Sequence, residues 1–191
     1  MIIGISGYAR AGKDTLANEI CSRYPQFGIR RFSDGVKDFL LRVNPEVCGT
    51  LIQDLFKDEW QGSWERAKDS FVYGDEVRRL LQTTGTDAAR GLLGEDVWVN
   101  YLMSSIDPYA FTVVPDVRFP NEADAILQHP CGVLIRVERP GFPPINDHPS
   151  ERALDHYDHA DNPVRYVCND GTPGSLFEQA ERALDLSHEI G

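Results

Sequence analysis

The chain has 191 residues, of which 41% are hydrophobic, so it is long enough for one well-buried α/β domain but short for two independent ones. Its net charge of −11 argues against a nucleic-acid-binding surface, because neutralising a phosphate backbone needs a basic stripe. It has no run of about 18 apolar residues, so we expect a cytoplasmic protein without a membrane partner. Its four cysteines lie far apart without a C-x-x-C pair, so we expect neither a zinc site nor a disulfide framework.

A glycine-rich loop follows the first predicted strand, residues 2–6, and leads into a predicted helix over residues 13–24. The spacing Gly7-x4-Gly12-Lys13 lets backbone amides curl around a phosphate, and Lys13 adds a positive charge. The helix also presents its positive N-terminus to the anion. The segment therefore predicts a nucleoside triphosphate site formed by Gly7, Arg10, Ala11, Gly12, Lys13, Asp14 and Thr15.

The residue after the lysine departs from the usual phosphate loop, which has Ser or Thr at this position to bind Mg²⁺ through a hydroxyl group. This chain has Asp14 there, followed by Thr15. Asp14 could bind Mg²⁺ directly or through water while Thr15 supplies the hydroxyl one residue later. Alternatively, Asp14 only complements the dipole of the helix.

A short strand at residues 30–32 and a helix at 34–43 continue a βαβα pattern. Residues 45–74 are less periodic, and we interpret them as an insertion over the site, anchored by three aromatic residues, Trp60, Trp64 and Phe71.

The next predicted helix, residues 76–84, has Arg78, Arg79 and Gln82 on one face, before a turn at Gly85-Thr86-Asp87. These groups could bind a phosphate or a base, or they could form a solvated charged face.

The strand at residues 111–116 ends at Asp116, and Arg118 follows two residues later. An acidic residue at this rim of an α/β sheet commonly supports a metal ion or orients a nucleophile. The alternative is an ion pair at the strand end. We expect Asn121 and Glu122 to cap and begin the following helix, residues 121–128.

The C-terminal third predicts strands at residues 132–137 and 164–168, separated by a proline-rich loop that could act as a lid. Arg10, Arg136 and Arg139 could converge on a transferred phosphate, although any of them could be surface charge. Thr172 is a predicted cap for a closing helix that begins at Pro173. Polar residues precede the last strand. We expect no catalysis from His148, Ser150 and Glu151, and we interpret His156, Asp158, His159 and Asp161 as a polar turn and not as a metal site.

Five short apolar strands separated by helices predict a doubly wound parallel sheet that binds ligands at the carboxyl ends of its strands. In this order, the blocks Gly7–Thr15, Arg78–Asp87, Val113–Arg118, Val137–Gly141 and Asn169–Thr172 resemble bacteriophage-type deoxynucleoside monophosphate kinases. These are P-loop enzymes that transfer the γ-phosphoryl group of ATP to a deoxynucleoside monophosphate (dNMP).

The resemblance implies a role for each predicted position. ATP phosphates would be held by Lys13 and the loop amides, and Mg²⁺ by Asp14 or Thr15 with Asp116. The acceptor would be bound by Arg78, Arg79, Gln82, Asp87 and Arg118. The adenine would lie near Asn169, Gly171 and Thr172, and the catalytic residues would be Lys13, Asp116, Arg118 and Arg139.

The implied organisation is a single P-loop kinase domain over residues 1–191, with an acceptor-binding insertion at about 45–90 and a lid-like loop at about 138–162. The resemblance also implies a possible homodimer, and the host cytoplasm as its location if the chain is phage-encoded. Two alternatives remain open at this point. One is a P-loop kinase acting on another phosphorylated small molecule, as phosphomevalonate or dephospho-CoA kinases do; the other is a nucleotide-binding regulatory protein without kinase turnover.

Overall fold

A computed structural model describes residues 1–145, 149–157 and 164–184 of the chain. The chain divides into two compact units. The first comprises Met1–Phe32 and Leu102–Gly191, and the second comprises Ser33–Tyr101. The predicted insertion at residues 45–90 lies within the second unit.

The strands are β1 (Ile2–Ser6), β2 (Phe27–Ile29), β3 (Glu46–Val47), β4 (Thr50–Leu51), β5 (Phe111–Val114), β6 (Gly132–Glu138) and β7 (Arg165–Cys168). The helices are α1 (Lys13–Arg23), α2 (Phe32–Val43), α3 (Ile52–Asp54), α4 (Trp64–Asp69), α5 (Gly74–Gln82), α6 (Ala89–Leu93), α7 (Val97–Ser105), α8 (Pro120–Leu127), α9 (Pro149–Arg152) and α10 (Pro173–Leu184), with π-helical segments at Leu55–Glu59 and Thr83–Ala88.

A five-stranded parallel sheet with the order β2-β5-β1-β6-β7 forms the centre of the first unit. Side chains of β1, such as Ile3 and Ile5, pack in one core with helices α1 and α10. Helix α8 packs closely on the opposite face, where a Cβ on Gly4 would lie only 2.7 Å from Ile126 Cδ1. All five residues of β1 are buried, as expected for a strand covered on both faces. The predicted doubly wound sheet is confirmed.

The carboxyl ends of three strands of this sheet bring the predicted site residues to one edge of it. Strand β1 runs into the glycine-rich loop, β5 leads to Asp116, and β7 leads to Asn169. Because the strands are parallel, their carboxyl ends share that edge.

The second unit has its own core, in which Trp60 is almost fully buried and Trp98 donates a hydrogen bond from Nε1 to the Gly85 carbonyl at 2.8 Å. Strands β3 and β4 pair antiparallel beside this core, an element that the sequence did not predict. The prediction that Phe71 anchors this region is wrong, because its side chain is fully exposed.

Two further predictions of secondary structure are wrong. The second strand lies at Phe27–Ile29, not at residues 30–32, because the buried Phe27 ring packs 5.2 Å from the ring of Phe111 on the paired strand β5. The predicted turn at residues 85–87 is instead part of the π-helical segment Thr83–Ala88, which joins α5 to α6. Trp98 bonds to the Gly85 carbonyl, and this contact ties the segment to the core of its unit.

Across the ranges that the structure describes, no helix combines the length and the apolar character that a membrane span requires.

Candidate active site

The glycine-rich loop between β1 and α1 is shaped by three residues with positive φ angles: Gly7 at 134°, Arg10 at 65° and Gly12 at 106°. A Cβ on Gly7 would lie 2.3 Å from the Val137 carbonyl oxygen, so only glycine fits this close approach between the loop and strand β6. Arg10 adopts a left-handed conformation without being glycine, and this kind of backbone strain clusters at ligand-binding sites. The loop therefore has the concave backbone that an anion-binding nest requires.

Lys13 opens helix α1, and its side chain lies under the loop. Its Nζ donates hydrogen bonds to the carbonyl oxygens of Gly7 at 2.8 Å and Tyr8 at 2.7 Å. The residue is only 8% exposed, so its ammonium group is held in a largely dehydrated position.

The electrostatic environment of Lys13 mixes both signs of charge. Burial, with a smaller contribution from the Arg118 guanidinium, lowers the pKa of Lys13 from 10.5 to about 8. The carboxylates of Glu151, Asp14 and Asp116 act in the opposite direction and favour the charged form. Lys13 is therefore the centre of a cluster of two cations and three carboxylates.

A cavity of about 450 Å³ opens beside the loop, a size typical of small-molecule sites. Most of its lining residues are ones that the sequence predicts to bind the nucleotide: Arg10, residues 12–15, Asn169 and Gly171. Arg139 and Pro173 complete the lining. Asn169 donates a hydrogen bond from Nδ2 to the Ala11 carbonyl at 2.8 Å, and a Cβ on Gly12 would lie 2.5 Å from that nitrogen. The turn after β7 is thus tied directly to the phosphate loop.

The remaining predicted nucleotide-binding residues lie around this cavity without lining it. Ala11 is a buried residue of the loop itself. Thr172 caps helix α10 by accepting a hydrogen bond from the Ser175 amide at 3.2 Å, as predicted.

Arg139, which lines the cavity, donates to the Arg10 carbonyl at 3.2 Å, and its guanidinium lies 3.9 Å from the centre of the Phe142 ring.

The two predicted metal-binding carboxylates each have a partner within the first unit. Asp14 pairs with the Arg31 guanidinium at 2.8 Å, and Asp116 accepts a hydrogen bond from the Phe32 amide, the first of helix α2, at 3.0 Å. Thr15 is exposed at the mouth of the cavity. The described residues contain no cluster of three or more His, Cys, Asp or Glu side chains suited to a metal ion. Any cation here would therefore need further ligands from a bound phosphate.

Arg118 is fixed at both its backbone and its side chain. Its amide donates to Glu122 Oε2 at 2.7 Å, and the same oxygen accepts from the Phe119 amide at 3.1 Å. Glu122 therefore caps α8, as predicted. The Arg118 guanidinium donates from Nη1 to Glu151 Oε1 at 3.0 Å and to the Ser150 carbonyl at 3.5 Å.

The segment 149–157 is held against the sheet by buried contacts. Arg136, which is 8% exposed, donates to the Leu154 carbonyl at 2.6 Å and to Asp155 Oδ1 at 2.8 Å. Tyr8 donates to the same Asp155 oxygen at 2.8 Å, and Tyr157 donates to Asp124 at 2.6 Å. The idea that Arg136 reaches a transferred phosphate is wrong, because its guanidinium is engaged in anchoring this segment.

The predicted acceptor-binding residues lie in the second unit. Arg78 and Arg79 are exposed on helix α5; Arg78 pairs with Asp69 at 3.6 Å and with Asp75 at 3.7 Å, and Arg79 pairs with Glu76 at 2.5 Å. Gln82 ends that helix and is also exposed, and Asp87 lies in the π-helical segment that follows.

Four of the polar residues considered in the C-terminal third lie outside the described residues: His148, Asp158, His159 and Asp161. His156 is described, and its side chain is exposed.

Two contacts at the candidate site were not predicted from the sequence, and Glu151 was expected to have no catalytic role. The Glu151 carboxylate reaches both Arg118, 33 residues away, and the Ala9 amide, 142 residues away. Arg31 is 17 residues from its partner Asp14. No local pattern marks either contact, since only the parallel sheet brings these segments together.

Comparison with known proteins gives a consistent picture. The family model described as deoxynucleotide monophosphate kinase matches residues 66–179. A protein of Acanthamoeba polyphaga mimivirus, provisionally named as such a kinase, is 31% identical over 83% of this chain and 86% of its own length. The deoxynucleoside-5'-monophosphate kinase of Escherichia phage T5 is 27% identical over 89% and 88%, respectively. The deoxynucleotide monophosphate kinase of Enterobacteria phage T4 is 30% identical over 58% of this chain and 46% of its own.

Proposed function

This chain belongs to the deoxynucleotide monophosphate kinase family, and from that premise we propose that it transfers the γ-phosphoryl group of ATP to a dNMP, giving ADP and a deoxynucleoside diphosphate. The observation that carries the ATP assignment is the phosphate loop, with the buried Lys13 beneath it and a cavity of about 450 Å³ beside it. A buried cation next to a concave run of amides favours an anionic ligand over a neutral one.

The proposed roles follow from the charges at the loop. Lys13 would neutralise charge on the terminal phosphates of ATP, and the loop amides would hold them in line for transfer. Asn169, Gly171 and Thr172, at the turn after β7, would lie beside the adenine. Arg139, which lines the cavity, would add positive charge to the bound nucleotide.

The oxygen donors beside Lys13 suit Mg²⁺, which prefers a few carboxylates completed by substrate phosphates and water. Asp14 and Thr15 would hold the ion from the start of α1, and Asp116 from the end of β5. When bound, Mg²⁺ would reduce the charge that the transferring phosphoryl group develops.

The acceptor is itself a phosphate, so its binding calls for arginines more than for a general base. We propose that Arg118 binds this phosphate from the first unit. By the family resemblance, we propose Arg78, Arg79, Gln82 and Asp87 as further acceptor-binding residues in the second unit. A dNMP and ATP are cytoplasmic metabolites, and we expect the protein to act there.

A panel of acceptors tests the proposal. Purified protein is given ATP and Mg²⁺ with each dNMP, each ribonucleoside monophosphate, phosphomevalonate or dephospho-CoA, and the products are separated and identified. We expect a deoxynucleoside diphosphate from at least one dNMP and no product from the last two acceptors. Turnover of phosphomevalonate or dephospho-CoA without any dNMP would contradict the proposal. ATP binding without transfer to any acceptor would instead indicate a regulatory nucleotide-binding protein.

A further inference from the structure

The Glu151 carboxylate occupies an unusual place at the active site, because it contacts the phosphate loop and an arginine at the same time. Its Oε2 accepts a hydrogen bond from the Ala9 amide at 3.0 Å, and its Oε1 accepts one from Arg118 Nη1 at 3.0 Å. Its side chain is only 7% exposed. Burying a carboxylate is costly unless it is paired and hydrogen-bonded, and here each oxygen has a charged or amide donor.

These bonds leave part of the Arg118 guanidinium available to a ligand. Only Nη1 takes part in the bonds to Glu151 and Ser150. Nε and Nη2 make no hydrogen bond to any of the residues that the structure describes, and the side chain is 38% exposed. An arginine held at one nitrogen can still present its other N–H donors to a phosphate.

We propose that Glu151 is a positioning residue, which fixes the Arg118 guanidinium against the phosphate loop. Held in this way, the guanidinium binds the acceptor phosphate in line with the loop. This inference rests on the proposed kinase function. Glu151 would act through Arg118 and would not itself touch the reacting atoms.

The anchoring of the surrounding segment favours a fixed bridge over a carboxylate that swings away when phosphate binds. Asp155 accepts hydrogen bonds from both Tyr8 and Arg136, and Arg136 also holds the Leu154 carbonyl. Glu151 therefore lies on a segment that is tied to the loop and to strand β6 within four residues of its own position.

The test compares three variants with the wild type by steady-state kinetics, with each substrate varied in turn. Glu151→Gln keeps the shape but removes the charge and leaves one acceptor oxygen for two donors. Arg118→Ala removes the positioned group. Tyr157→Phe is the matched control, because it removes the bond from the same segment to Asp124 without touching Arg118 or the loop.

We expect Glu151→Gln to raise the KM for the dNMP by about 10-fold or more, the size of effect expected from loss of a charge-assisted hydrogen bond, and to raise the KM for ATP by much less. Combining it with Arg118→Ala should raise the KM for the dNMP no further than Arg118→Ala alone, because both changes disrupt one interaction. Tyr157→Phe should leave the ratio of the two KM values unchanged. If Glu151→Gln does not fold, Glu151→Asp serves instead, since it keeps the buried charge but shortens the reach, and the same split is expected.

Three results would overturn the inference. Equal effects of Glu151→Gln on both KM values, with a lowered Tm, would make the residue merely structural. If Glu151→Gln lowers the KM for ATP and speeds ATP hydrolysis in the absence of a dNMP, the Glu151 carboxylate competes with a bound phosphate for the same hydrogen-bond donors. A wild-type protein that phosphorylates no dNMP would remove the proposed function and this inference together, whereas an active wild type with either of the first two results would remove the inference alone.

Discussion

Lys13 is a buried cation whose protonation depends on its surroundings. Its side chain is buried, and its pKa is lowered to about 8, first by burial and then by Arg118. In the unfolded chain, a lysine keeps its proton up to about pH 10.4. Between these values the unfolded state binds more protons than the folded state, so the contribution of Lys13 to the free energy of unfolding rises with pH. At neutral pH the charged Lys13 therefore costs stability, and a bound triphosphate would offset that cost.

The same pKa predicts how ATP binding depends on pH. Lys13 in the free protein is charged below pH 8 and loses its proton as the pH rises through about 8. We expect kcat/KM for ATP to fall as the pH rises through that value, while kcat, which reports the ATP-bound protein, falls only at higher pH. Steady-state kinetics between pH 6 and 10 measure both quantities. A kcat/KM that stays flat to pH 9.5 would contradict the assigned role of the ammonium group.

Glu151 and Arg31 mark the limit of sequence reasoning at the scale of single residues. Lys13, Asp14 and Thr15 could be assigned to the site because they lie within one motif of fixed spacing. Glu151 was expected to have no catalytic role, because the polar stretch around it has no motif spacing, and its contacts to Ala9 and Arg118 depend on how the strands are arranged. An ion pair between distant segments cannot be read from spacing alone.

At the scale of elements, the predictions that rest on adjoining residues agree with the structure better than those that depend on contacts across the fold. Strand β1, the loop and helix α1 were predicted within one residue, because an apolar run, two glycines and a helical pattern adjoin one another. Strand β2 was placed three residues late, since its position is set by the packing of Phe27 on Phe111 across the sheet. The Gly85 region was predicted as a turn, but the contact with Trp98 holds it in a π-helical segment.

The loop itself allows a matched test with two glycines. Gly7→Ala would place a Cβ 2.3 Å from the Val137 carbonyl oxygen at a φ of 134°, so the loop must shift. Gly28→Ala, in strand β2, meets nothing within 4 Å. We expect Gly7→Ala to weaken ATP binding by about 10-fold or more, because the nest loses its shape, and Gly28→Ala to leave it unchanged.

Calorimetric titration with ATP and Mg²⁺ measures both affinities, and circular dichroism checks that each variant is folded. Unchanged ATP affinity in Gly7→Ala would show that the loop geometry is not what holds the nucleotide.

At the scale of the whole molecule, an acidic chain places several cations, together with three carboxylates, around one loop. The net charge is −11, yet Lys13, Arg118, Arg10 and Arg139 lie on or beside one loop of the first unit. The sequence predicted that ligands bind at the carboxyl ends of the parallel strands, and these cations lie at that edge of the sheet. Membership of the deoxynucleotide monophosphate kinase family agrees with the arrangement.

The most direct test follows the label from ATP carrying ³²P in the γ-phosphate, with a dNMP and Mg²⁺, in the wild type and in Lys13→Ala. The wild type should transfer the label to the deoxynucleoside diphosphate. Lys13→Ala should do so at least ~10²-fold more slowly while remaining folded, because it removes charge stabilisation of the transition state. No label in any deoxynucleotide, or transfer by Lys13→Ala at the wild-type rate, would contradict the proposal that this loop holds the phosphoryl donor.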